Sequence, residues 1–95
     1  MDNNGQSDVP SWDKDPQAVK DYGIDWSDWL GSDTLVNSEW EAPGLTVVSS
    51  ARTAKATQVV LSGGTAGTRY RVTNKITTAS GNVDLRSIEI KVRNM

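Results

Sequence analysis

By type and spacing, the residues best suited to chemistry are two pairs of carboxylates, Asp13 with Asp15 and Asp25 with Asp28. Paired carboxylates can hydrolyse glycosides or hold a divalent cation. Asp13, Asp15 and Asp21 lack the central glycine and the later glutamate that a calcium loop needs. The chain has no His and no Cys, so the commonest general base, the commonest transition-metal ligand and any thiolate are missing. Its serines therefore have no base to activate them. Gly63-Gly64-Thr65-Ala66-Gly67 is glycine-rich, but no Lys-Ser/Thr follows it, and the residues after it read as a strand, so it is not a phosphate cradle. The residues predict no catalytic site, no metal site and no cofactor, and a protein that is not an enzyme.

What remains is the chemistry of adhesion. Four tryptophans stand in a chain of 95 residues without phenylalanine. Trp12 and Trp29 are hard to bury in one small domain, and aromatic side chains concentrate at binding hot spots. Arg69, Arg71 and Lys75 project from one predicted strand, and Lys91 and Arg93 from its predicted neighbour. Paired, these strands would make a positive face. Trp12, Trp29, Arg69, Arg71 and Lys75 are the candidate partner-binding residues. Nucleic acid is a poor fit for that face, because no aromatic residues interleave the bases and the sequence pI is about 4.9. A protein surface fits better.

Charge is unevenly spread. Residues 1–33 hold eight aspartates against two lysines, a net of −6, while residues 34–95 hold eight bases against four acids, a net of +4. The chain reads as an acidic arm on a basic body, and the arm of one copy is suited to dock on the body of another. Hydrophobic residues make up 36% of the chain, lean for an isolated domain, which favours burial completed within an assembly. The acidic, polar start at Met1-Asp2-Asn3-Asn4 is not that of a signal peptide, and no apolar run reaches the length of a membrane span. The expectation is a protein kept in the cytoplasm until it is assembled.

The elements that must position these residues are strands. Residues 1–17 carry turn formers and no hydrophobic period, and are expected to be an extended N-terminal arm, with residues 18–95 as the folded domain. Tyr22, Ile24 and Trp26 alternate as one apolar face, and a short helical turn capped by Ser27 is expected before Gly31. Thr34, Val36, Ser38 and Trp40 are expected to share one face of the next strand, with Val36 and Trp40 in the core. Tyr70, Val72, Asn74 and Ile76 alternate strictly against Arg69, Arg71, Thr73 and Lys75. Ile88, Ile90 and Val92 point inward from the last strand. With Leu61, these positions make up the expected core: Tyr22, Ile24, Trp26, Val36, Trp40, Leu61, Tyr70, Val72, Ile76, Ile88, Ile90 and Val92.

Six or seven short strands separated by turn signals predict an all-β antiparallel sandwich. The stretch from Leu61 through Gly67 to Tyr70 and Val72 resembles a tyrosine corner, in which a strand turns through glycine and a tyrosine hydroxyl bonds back to nearby backbone. It predicts an immunoglobulin-like, fibronectin type III-like sandwich.

The opening of the chain runs Asp13-Lys-Asp-Pro16, then Val19-Lys-Asp-Tyr22-Gly-Ile24-Asp-Trp26-Ser-Asp-Trp29-Leu30, then Asp33-Thr34 and Ser38-Glu-Trp40. Its close comprises Leu61 to Gly67, Tyr70 to Thr78, Gly81, Asp84 and Arg86 to Val92. Together these resemble a family of small phage and prophage virion proteins, the fibre–tail adaptors, over about residues 13–93. The resemblance implies an immunoglobulin-like virion protein present in many copies, with tail or neck components and fibres as its partners, and no enzymatic role. A capsid decoration protein and a carbohydrate-binding module, with Trp29 or Trp12 as its stacking platform, are the alternatives.

Overall fold

The computed structural model describes residues 10–95. In chain order these form β1 (Ser11–Lys14), β2 (Lys20–Asp25), α1 (Ser27–Leu30), β3 (Leu35–Glu41), β4 (Thr46–Arg52), β5 (Ala56–Ser62), β6 (Thr68–Thr78) and β7 (Val83–Val92). A four-stranded sheet has the order β1-β7-β6-β3 and a three-stranded sheet the order β2-β5-β4. All pairings are antiparallel except β1 with β7, which is parallel. The chain is an all-β sandwich.

The alternation written into β6 and β7 becomes two faces of the larger sheet. Val72, Ile76, Ile88, Ile90 and Val92 point inward and are buried. Val72, Ile88, Ile90 and Val92 meet Tyr22, Val59 and Leu61 from the smaller sheet. A second cluster, of Trp26, Leu30, Leu35 and Ile76, fills the end near α1, and Ile24 packs against both clusters. Trp40 and Tyr70 are partly buried against the first cluster. Burying one such side chain fully stabilises by roughly 1.5–3 kcal/mol, so these two clusters are the main reason the sheets stay together.

Val36 departs from the expected core: it is 46% exposed, and Leu35 takes the inward place. The cause is a bulge. Leu35 pairs with Thr78 and Asn37 with Thr77, which leaves Val36 as an extra residue. A bulge of this kind shifts every residue on one side of it by half a pleat. Leu35 and Trp40, which simple alternation puts on opposite faces, therefore both face the core.

Ser11–Lys14 also departs from expectation. The sequence places these residues in the arm, whereas in the structure they form an edge strand of the larger sheet, in register from Ser11 opposite Glu89 to Lys14 opposite Val92. Residues 1–9 of the expected arm lie outside the described residues.

The helical turn α1 is present, but Ser27 is not its cap. The Asp25 carboxylate instead accepts hydrogen bonds from the Ser27 N–H (2.9 Å) and the Ser27 hydroxyl (2.6 Å). These bonds, the Ser27 hydroxyl first, hold the Asp25 carboxyl below its ordinary range.

Candidate partner-binding site

Three of the five candidate residues sit on the outer face of the larger sheet. Because β6 alternates, Arg69, Arg71 and Lys75 all leave the core on the same side, and the register then decides what surrounds them. Arg69 lies opposite Lys91, Arg71 opposite Glu89, and Lys75 between Glu39 on β3 and Leu85 on β7. At the β1 edge, Asp13 stands opposite Lys91 and forms an ion pair with Arg93 at 3.6 Å. The expected positive face therefore carries both signs. Basic charge concentrates only where Arg69, Lys91 and Arg93 meet, at the end of the sheet next to β1. Exposed pairs of this kind add little stability, so their value lies in orienting a partner.

The opposite end of the same face is apolar. Val83 lies opposite Thr77, which in turn lies opposite the bulged strand beside Val36. Val36, Val83 and Leu85 are all exposed. Reading by periodicity missed this patch, since Val83 and Leu85 precede the clean alternation of β7 and Val36 is turned outward by the bulge. The available signal was that Val83 and Leu85 share the parity of the outward-facing Glu89 and Lys91.

The two tryptophans are set apart. Trp12, on β1, is 42% exposed, with its ring 5.9 Å from that of Tyr22. It leans over the open side of the sandwich between β1 and β2. Trp29, on α1, is 40% exposed and meets Trp26 edge-on at 5.6 Å. Trp26 is itself fully buried, with the Arg86 guanidinium 4.3 Å from its ring. Each exposed indole thus rests on a buried aromatic ring, a pre-ordered base that loses little entropy when a partner covers it.

Of the carboxylates singled out for chemistry, Asp13, Asp15 and Asp25 have structural partners. Asp15 accepts hydrogen bonds from the backbone N–H groups of Gln17 (2.8 Å) and Met95 (3.2 Å), which hold its carboxyl below the ordinary range. Asp33 is held low first by the Ser80 hydroxyl, with the Thr78 hydroxyl next. Among the described residues, no three or more Asp or Glu side chains are grouped closely enough to hold a metal ion. An open groove of about 490 Å³ crosses the outer side of the smaller sheet, over Gly23 and Ala56, with Asp21 and Asp25 on one side and Arg52 on the other.

Lys14 lies within the segment expected to be an extended arm. Flanked by two aspartates, it reads as a solvated charge, yet it is fully buried. Its ammonium donates to the carbonyls of Gly63 (2.7 Å) and Asp15 (2.9 Å). Burial lowers its pKa, and the Asp15 charge partly opposes that shift. The same turn receives Tyr70, whose hydroxyl accepts the Thr65 N–H at 2.8 Å. This is the backward bond the corner motif requires. Glycines make room for the ring: Gly44 (φ +88°) and Gly64 (φ +99°) lie against it, and a Cβ on Gly44 would sit 2.5 Å from Tyr70 Cε1. Lys14 thus ties β1, and Trp12 with it, to the corner.

The sequence profile of the podophage GP4 fiber-tail adaptor protein gp77 family matches residues 14–91. No curated protein matches the chain. The matched span begins at the buried Lys14 and runs through every later strand, ending one residue before the end of β7. The chain belongs to the podophage GP4 fiber-tail adaptor family and is a structural tail-fibre adaptor of the virion.

Proposed function

We propose that the sandwich joins its two neighbours through opposite ends of the molecule, working by protein–protein contact and without catalysis. The β1 end, with Trp12, Arg69, Arg71, Lys91 and Arg93, faces the tail or neck. The other end, with Trp29 and the Val36, Val83 and Leu85 patch, faces the fibre. The observation that carries this reading is the segregation of exposed groups. Mixed charge and Trp12 lie at one end of the larger sheet, exposed apolar side chains and Trp29 at the other. An adaptor needs two such separate surfaces. Lys75, between Glu39 and Leu85, lies on the rim of the apolar patch and orients the partner there.

The strand order supports an immunoglobulin-like module. Lettered A to G in chain order, the sheets are B-E-D and C-F-G with A added beside G, and the tyrosine of the corner opens strand F. Nucleic acid is a poor partner for a face on which Glu39, Glu41, Glu89 and Asp13 alternate with the bases. Copies arranged symmetrically around the tail would add avidity to contacts that are individually weak.

Two variants test the assignment in particles. Trp12→Asp should fold and be lost from purified virions. Leu85→Glu should be incorporated into virions that lack fibres. If both variants give normal particles with normal fibre content, the two-ended reading fails.

A further inference from the structure

We propose that the groove across the outer side of the smaller sheet is a docking site for an extended segment of another protein that carries one basic and one acidic side chain. The inference goes beyond the adaptor reading, which assigns nothing to this face, and does not depend on it. The groove holds about 490 Å³. Register lays it out. Asp21, Gly23 and Asp25 leave β2 outward, opposite Val60, Gln58 and Ala56 of β5, and Ala51 of β4 lies on the other side of Gln58. Gly23, Ala51 and Ala56 are too small to fill the face. Gly23 is the telling residue. It stands in the middle of a strand in regular register, with no positive φ and no bulge to serve. Glycine inside such a strand weakens it and commonly marks a place where a ligand or another backbone comes close. A Cβ on Gly23 would press on the Thr57 carbonyl oxygen at 3.3 Å and meet nothing else. The glycine thus leaves a gap between Asp21 and Asp25.

The charges name the occupant. Asp21 accepts from the Gln58 amide through one oxygen (3.1 Å), and one oxygen of Asp25 takes both bonds from Ser27. The second oxygen of each carboxylate is left for a cation over Gly23. Arg52 stands exposed at the β4 end. Among the described residues, neither Asp21 nor Arg52 makes an ion pair. Two strand spacings, roughly 10 Å, separate β2 from β4. A base and an acid at alternate positions of an extended peptide share one face about 7 Å apart, and their side chains span the rest. A sugar would find no aromatic ring to stack on along this floor. Exposed charges of this kind orient a partner more than they hold it, so an isolated segment binds weakly.

The probe is acetyl-Arg-Ser-Glu-amide, with acetyl-Gln-Ser-Gln-amide as its uncharged counterpart, titrated into the whole isotope-labelled chain and followed at the backbone amides by NMR. The expected result is movement confined to Gly23, Ala56, Gln58 and their neighbours, with a Kd of about 1–10 mM. The uncharged peptide should bind about fivefold more weakly. Asp21→Asn combined with Asp25→Asn keeps the internal acceptors and should weaken the charged peptide by the same factor. Arg52→Glu should turn the preference toward acetyl-Arg-Ser-Arg-amide. No amide movement up to about 50 mM, equal binding of the uncharged peptide, or equal movement at Glu39 and Glu41 would overturn the proposal. So would maltotetraose moving the groove amides where the charged peptide does not, which would assign the groove to a glycan. The titration contains no virion protein but this chain, so its outcome is separate from that of the two-ended reading.

Discussion

Two buried polar centres hold this sandwich, and they are built in opposite ways. Inside, a side chain organises other side chains. Asn74 is fully buried; its oxygen accepts from Trp26 Nε1 (3.1 Å) and the Thr57 hydroxyl (2.7 Å), and its amide donates to the Ser38 hydroxyl (2.9 Å) and the Glu39 carbonyl (3.0 Å). Every bond an asparagine side chain can make is made. The network joins β3, β5, β6 and the residue before α1, and so spans both sheets. At the corner, by contrast, backbone organises side chains. The turn from Gly63 to Thr65 gives a carbonyl to Lys14 and an N–H to Tyr70. The interior depends on residue identity at one position, the corner on the shape of a turn.

This contrast orders the mutational effects. Asn74→Ala should be the largest. It takes a partner from the Thr57 hydroxyl, the Ser38 hydroxyl and the Glu39 carbonyl, leaves Trp26 Nε1 with only its 3.3 Å bond to the Thr57 hydroxyl, and should lower stability by about 3 kcal/mol, measured by urea unfolding. Asn74→Leu should be almost as harmful, since the orphaned groups are the cause and not the lost volume. Gly64→Ala should follow at about 2 kcal/mol, because the turn would have to hold alanine at positive φ with its Cβ 2.6 Å from Val92 Cγ2. Tyr70→Phe removes the bond to the Thr65 N–H and should lose about 1 kcal/mol. If Tyr70→Phe were as severe as Asn74→Leu, the distinction between the two centres would collapse.

The interior was partly legible and the corner less so. Asn74 stands in the inward row of the β6 alternation, where a polar residue among Tyr70, Val72 and Ile76 already signals a buried hydrogen-bond centre. Its partners were not legible, because Thr57 and Trp26 come from the other side of the sandwich. Tyr70 was marked by the glycines before it. Lys14 gave no sign, since a lysine between two aspartates reads as solvated, and its true neighbour Gly63 is 49 residues away. β1 was hidden for the same reason: four residues paired in parallel with the far end of the chain carry no local period. Val36 was misread because a bulge belongs to the pairing of two strands and leaves no trace in the alternation of one. The outer face was readable residue by residue but not as a whole. Its charge balance depends on register, which sets Glu89 against Arg71 and Glu39 against Lys75.

The smallest effect sharpens the comparison most. Lys14→Met keeps the apolar stem and removes the buried ammonium along with its two bonds to carbonyls. Gains and losses nearly cancel, so stability at neutral pH should change by less than about 1 kcal/mol. The pH dependence then separates the centres. Burial lowers the folded-state pKa of Lys14 below 10.5. Below that folded value both states hold the proton and the burial penalty is present in full. Between it and 10.5 the folded state has lost the proton while the unfolded chain retains it, so stability rises with pH. Wild type should therefore gain on Lys14→Met as pH climbs toward 10.5, and by the same amount whether or not Tyr70→Phe is also present. Tyr22 works in the opposite direction: burial raises its pKa above 10.0, so the folded state keeps its proton longer and stability falls above that pH. That loss is common to both proteins and cancels in the difference. Urea midpoints of the pair between neutral pH and pH 10.5 measure the gain. A constant difference across that range would mean that the Lys14 ammonium is solvated, and that β1 hangs on its backbone bonds alone.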